Sequence, residues 1–226
     1  MLPRGLIVDA VEDEEGFHDL TERLLAELER WAKATCAADG PVWRNGDFVA
    51  SAMLEWKGYY GYGRLGRWTC DDLPEFLLDY FPRKVSVHDE TLDDVVDCVV
   101  ALLGFLEQRQ SLSGEPLDML EHACEELRHD FRARAADPSS WGLAKSMVMR
   151  MFAEGIDPND FDAVERWTTS FNERPTAERD AIIGGASKRM LAQFQSPTAG
   201  PRGKTPARQA RRKSERAARK RNRRSH

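Results

Sequence analysis

Positive charge in this 226-residue chain is crowded into one end, and that limits how much of the chain can share a core. Residues 202–226 carry twelve Lys or Arg and a single Glu, a net of +11, while the remaining residues hold 21 basic and 37 acidic side chains, a net of −16. The overall −5 conceals two opposite objects. Like charge this dense repels itself on compaction, so the C-terminal block reads as an interaction tail. The part that can fold is the acidic remainder. Hydrophobic content of 41% and six Trp suit a globule with one sizeable core or two closely packed subdomains. Pro197, Gly200, Pro201 and Gly203 mark a linker. The expected organisation is an acidic all-helical domain over 1–195, then a Pro/Gly linker and Arg/Lys-rich tail over 196–226.

Apolar residues recur at helical spacing almost throughout. Phe17, Leu20, Leu24, Leu28 and Trp31 predict a helix over 12–37, with Glu12 to Glu15 at its positive end and Gly40-Pro41 as its stop. A second helix is expected from Asp47 to about Tyr60, after an Asn45-Gly46 turn, with Phe48, Met53 and Trp56 on its apolar side. Thr69 and Asp72 form a capping-box pattern for a short helix closed at Phe81-Pro82. Residues 89–110 carry Leu92, Val95, Val96, Val99, Val100, Leu103 and Leu106 around most of the circumference, which predicts a central helix buried on several sides. Further helices are expected over 115–136, 141–154, 161–171, 175–183 and 186–194. No segment alternates like a strand, so the fold class is all-α, a compact multi-helix domain of about nine helices with a disordered basic tail. The run from Cys98 to Leu106 is about half the length of a membrane span, and the N-terminal residues do not read as a signal peptide.

Within the tail, Thr205-Pro206 looks like an N-cap followed by Pro at the first helical position. Residues 207–221 are rich in Ala, Arg and Lys, and Glu215 stands four residues from both Arg211 and Arg219. Repulsion predicts disorder for this segment alone in water and a helix against a polyanion. Its candidate phosphate contacts are Arg208, Arg211, Arg212, Lys213, Arg216, Arg219, Lys220, Arg221, Arg223 and Arg224.

Two blocks carry a family likeness. One is GRWTCDDLPEFLLDYFPRKVS, Gly66 to Ser86; the other is WGLAKSMVMRMFAEGID, Trp141 to Asp157, followed by Arg166, Trp167, Phe171 and Asn172. Together they resemble a family of uncharacterised all-helical actinobacterial proteins, over roughly residues 12–195. The resemblance implies one helical unit in a cytosolic bacterial setting and brings no activity with it. Some members carry a SEC-C-like zinc motif of closely spaced Cys. This chain lacks such a cluster, so zinc is not carried over.

The segment from Lys57 to Trp68 is the most unusual of the body. Gly61, Gly63 and Gly66 match G-x-G-x-x-G, but a helix is expected before them where a dinucleotide fold needs a strand. As a candidate ligand loop it offers Tyr60, Tyr62 and Trp68 as stacking faces and Lys57, Arg64 and Arg67 as cations, which suits single-stranded nucleic acid or a peptide groove. The plainer reading is a Gly-rich connection whose aromatics cover the edge of the core. His122, Glu126 and His129 fall on one helix face, and Glu15-x-x-His18 repeats the E-x-x-H spacing of Glu126 and His129. A polar helix face explains them more simply than a metal site. Cys36, Cys70, Cys98 and Cys124 are too widely spaced for a zinc knuckle and read as reduced thiols. No G-x-S-x-G elbow is present, and no catalytic residue, metal or cofactor is assigned.

Three functions compete. The first is a non-enzymatic cytoplasmic protein that binds RNA or DNA without sequence preference through its tail. The second is a protein–protein adaptor whose tail engages an acidic partner or the chain's own acidic body. An enzyme comes third. No membrane association is expected, and oligomeric state is not legible. Because the tail brings charge and few apolar groups, truncation after Gln195 is expected to leave helical circular dichroism and a cooperative melt intact. A truncated chain without a melting transition would place the tail in the core.

Overall fold

The computed structural model describes residues 6–8, 10–61 and 63–182, and these are almost entirely helical. The helix α1 spans Glu14–Thr35. Asp13 caps it by accepting from the Gly16 N–H at 3.0 Å, and Glu14 and Glu15 occupy its first turn. Its buried stripe is Phe17, Leu20, Leu24, Leu28 and Ala32, with Trp31 half-covered at its edge.

The helix α2 runs Pro41–Tyr59, six residues longer at its start than expected. Gly40-Pro41 does not stop a helix but begins one, with Gly40 as N-cap and Pro41 in the first turn, where its missing N–H costs nothing. Asn45 and Gly46 are helical, not a turn. The Asn45 amide and the Arg44 guanidinium both donate to Asp94 at 2.8 Å, and this tertiary anchor overrides local turn preference. Phe48 is exposed, while Val49, Ala50, Met53, Leu54 and Trp56 are buried.

The helices α3, Asp72–Pro74, and α4, Phe81–Lys84, flank a π-helical turn at Glu75–Tyr80, so the helical run continues through Pro82. In that wider turn the Phe81 N–H reaches the Phe76 carbonyl, five residues back. The open ladder accommodates the residue that cannot donate. A 3-10 turn at Asp89–Asp94 leads into α5, Val95–Gln108, whose buried residues surround most of its girth. It packs on α2, on α1 and on α6, Leu117–Ala136. The core formed by α1 to α6 is one continuous cluster.

The strand pair is the feature that periodicity missed. Arg67–Trp68 (β1) and Ser113–Gly114 (β2) pair in parallel, Arg67 opposite Ser113 and Trp68 opposite Gly114. Two residues are too few to show alternation. Glycine makes the approach possible: Gly114 has φ +106°, and a Cβ there would lie 2.1 Å from the Trp68 carbonyl oxygen.

After a 3-10 turn at Pro138–Ser140 come α7, Leu143–Ala153, and α8, Phe161–Glu173, with helical backbone again over 176–182. They form a second, smaller cluster around Met151, Trp167 and Phe171. The helix expected at 186–194, the linker and the basic tail lie outside the described residues.

Glu154 ties α7 to α8. Its carboxylate accepts from the Trp167 indole at 2.6 Å, from Arg150 at 2.6 Å and from both terminal nitrogens of Arg174 at 3.0 and 3.1 Å. The Arg174 hydrogen bonds, with those of Trp167 and Arg150, hold its pKa down to about 2 from the ordinary 4.5. The unfolded chain therefore takes up a proton at Glu154 near pH 4.5, and the folded chain resists until about pH 2. The contribution of this knot is complete above pH 4.5 and is lost as pH falls toward 2. Glu154→Gln is expected to lower stability at neutral pH and to flatten its fall with acid in that window, as measured by urea unfolding at a series of pH values.

Candidate functional site

Lys57, in the last turn of α2, is 3% exposed. Its ammonium lies 2.7 Å from Asp72 Oδ2 and above two indole rings, 4.5 Å from the centre of Trp68 and 5.1 Å from that of Trp56. Asp72 also accepts from the Thr69 N–H at 2.8 Å and the Thr69 hydroxyl at 2.9 Å, so the capping-box acid serves the buried cation as well. Burial pushes the Lys57 pKa down, and Asp72 opposes that shift. Trp68 is fully buried, and its indole N–H donates to the Leu65 carbonyl at 3.0 Å.

The glycine loop is shaped around this lysine. The Lys57 carbonyl accepts from the Gly61 and Gly63 N–H groups at 3.0 and 3.2 Å, and a Cβ on Gly61 would lie 2.4 Å from Lys57 Cδ. The N-terminal segment then closes over the loop. Val8 N–H donates to the Gly63 carbonyl at 2.8 Å, and Leu65 N–H to the Leu6 carbonyl at 2.9 Å. Leu6 and Leu65 are fully buried, so this contact is part of the core.

As a candidate ligand loop, Lys57, Tyr60, Tyr62, Arg64, Arg67 and Trp68 need one accessible surface. The structure does not bring the described five to one surface. Lys57 and Trp68 are interior, and a ligand arriving from solvent meets neither. Arg64 is half-buried, Arg67 is exposed, and Tyr60 is exposed with its ring edge-on to Tyr80 at 5.6 Å. Tyr62 lies outside the described residues. The glycines follow a helix and precede a two-residue strand, so no βαβ unit surrounds them. Arg83, in the last turn of α4, meets α7 instead of this loop: its carbonyl accepts from the Gly142 N–H at 3.0 Å.

On α6, His122 faces Glu126 at 3.4 Å, and His129, 95% exposed, faces its neighbour Asp130 at 3.4 Å. His18 pairs with Glu22 at 3.1 Å rather than with Glu15. Among the described residues no three His, Cys, Asp or Glu side chains are grouped to hold a metal ion. The four cysteines are unpaired. Burial pushes the Cys98 and Cys124 thiols up to about 12, and the hydrogen bond with Glu115 raises Cys70 to about 11, so these sulfurs stay protonated at neutral pH. A groove of about 700 Å³ between α1 and α2 is lined by Glu14, Glu15 and Glu55 with His18, Phe17 and Tyr59, which makes it acidic and part aromatic.

Two groups were missed by sequence reading. One is the Glu154 knot. The other is Lys145, 2% exposed on α7, whose Nζ has no hydrogen-bond partner among the described residues. Nothing in local spacing marks either, since both depend on which helix faces which. Compared with family models, curated proteins and solved structures, the chain finds no match in any of the three.

If the 57–68 segment is built around Lys57, removing that side chain must damage the fold. Lys57→Ala strips Asp72 of its buried partner and leaves a gap against two indoles, so a loss on the order of 3 kcal/mol is expected in chemical denaturation. Arg67→Ala, on the exposed edge, is expected to change stability by less than about 0.5 kcal/mol. Comparable small effects for both would return Lys57 to the list of surface ligands.

Proposed function

We propose that this protein binds nucleic acid without sequence preference through residues 202–226, with the helical body as its carrier. The observation that carries this reading is the segregation of charge, +11 in the last 25 residues against −16 in the rest. Arg and Lys at that density neutralise phosphates and release condensed counterions, which needs no base contact. The body supports the same division of labour. Arg44 is tied to Asp94, Arg128 to Asp97 and Glu125, Arg132 to Asp89 and Asp93, and Arg174 to Glu154. Cations committed to carboxylates of the same surface are poorly placed to take phosphates, and the net negative body turns away from a polyanion.

A helix from Ala207 to Arg221 would spread its cations around its circumference, so about four to eight of them reach one duplex. The plot of log K against log salt is then expected to slope at about −0.9 per phosphate neutralised on duplex DNA and about −0.7 on single strands. The measurement is a titration of labelled RNA and DNA near physiological salt with intact protein and with protein lacking residues 202–226. Deletion is expected to remove nearly all binding. Equal affinity of the two forms, or none in either, overturns the proposal. Weak binding by the intact protein beside strong binding by the isolated tail peptide favours the alternative, an adaptor whose tail is claimed by an acidic protein surface.

A further inference from the structure

Helices α1 and α2 run antiparallel and leave an open groove between them. Phe17, near the start of α1, meets Tyr59 at the end of α2, and the Trp43 indole, near the start of α2, donates to the Ala32 carbonyl at 3.2 Å. At the Phe17 end Gly58 permits close approach, since a Cβ there would lie 2.4 Å from the Phe17 ring. Farther along, the facing residues do not fill the space. Ser51 is short, and the Thr21 hydroxyl donates back to the Phe17 carbonyl at 2.8 Å instead of reaching across. The groove of about 700 Å³ follows α1 from Glu14 to Thr21, about 10 Å at the rise of a helix. Its volume falls within the range of small-ligand sites.

The walls carry negative charge that the protein does not answer. Glu14 and Glu15 stand on α1 and Glu55 on α2, all exposed, and none of the three is in an ion pair among the described residues. Other acids of α1 are paired: Glu22 faces His18, Glu27 faces Arg109 and Glu29 faces Lys33. No Lys or Arg lines the groove, and His18 is turned to Glu22 at 3.1 Å. The Tyr80 phenol adjoins Glu55, but burial and that carboxylate push its pKa up, so it is neutral and leaves the charge unmet. Between the acids, Tyr59 is half-buried and offers a ring, with Phe17 packed edge-to-face against it at 5.5 Å. The depression along α8 differs: it holds Arg166 among Asp162, Glu165 and Glu173 and has no ring.

We propose that the α1–α2 groove binds a linear aliphatic polyamine. Its three carboxylates match the three ammonium groups of a triamine, whose end nitrogens, when extended, are about a groove length apart. The methylenes between them cover the Tyr59 ring, and an ammonium gains from the ring quadrupole. A metal ion fits less well, because among the described residues no three acids converge on one point. Charges spread along a groove call for a cation whose own charges are spread. A peptide fits less well too, since about 10 Å spans only about three extended residues. The groove belongs to the body, so the site stands whether or not the tail binds nucleic acid.

The test is calorimetric titration of the full chain with spermidine, at constant ionic strength and without nucleic acid. Four proteins are compared: native, Glu14→Gln with Glu15→Gln and Glu55→Gln, Asp162→Asn with Glu165→Gln and Glu173→Gln, and Tyr59→Leu. Circular dichroism checks each fold, and all four keep residues 202–226. The groove triple variant is expected to bind at least about tenfold more weakly and the α8 triple variant less than about twofold, although each loses three charges. Tyr59→Leu is expected to weaken binding about threefold with charge unchanged, and it tests the site even if the groove triple variant loses helix. Equal weakening by the two triple variants, or no effect of Tyr59→Leu, overturns the site. Butylamine or Mg²⁺ binding as tightly as spermidine overturns the polyamine assignment, as does an arginine-rich peptide that binds the groove more tightly.

Discussion

One buried ammonium organises the front of this molecule. The Lys57 ammonium lies over two tryptophans, its charge met by Asp72, and it ties together three successive stretches: the end of α2, the glycine loop, and the start of α3. An ion pair taken out of water costs much of what it returns, so it is a poor source of stability. It is a strong source of specificity, because alternative packings strand a charge. The loop glycines, the paired strands and the closing N-terminal segment all follow from keeping Lys57 covered.

The π turn has a similar reach. It lets the helical run from Asp72 to Lys84 pass through Pro82, and so carries Arg83 to the N-cap of α7. The two apolar clusters meet the chain's length differently. The larger one closes around α5, and the smaller one leans on the Glu154 knot as much as on Trp167 and Phe171. Acid is therefore expected to loosen α7 and α8 first.

Charge runs through both the fold and the proposed function. In the body, carboxylates outnumber cations, and Arg128 and Arg132 of α6 and Arg174 at the end of α8 are held by them. The tail inverts that balance and has the composition to meet a polyanion. Lys145 is the exception within the body, a buried ammonium with no hydrogen-bond partner among the described residues.

Helical periodicity alone revealed the fold class, because apolar residues three and four apart can bury only as helices. It also marked the stripes of α1, α5 and α6, while the acidic-body, basic-tail division came from the charge count. Local signals failed where partners lie far along the chain. Gly40-Pro41 and Asn45-Gly46 read as breaks, yet Asp94, about 50 residues on, draws Arg44 and Asn45 into α2. The loop aromatics and Lys57 admitted two readings, ligand contacts or a cover for the edge of the core, because composition cannot tell an exposed tryptophan from one that covers a buried lysine. Lys145 was invisible for the same reason: its isolation is a property of what surrounds it. Sequence determined which residues seek water or avoid it, through spacing of a few residues. Only the tertiary structure decided which charges find partners, because pairing is set by distance in space and by the low dielectric of a packed interior.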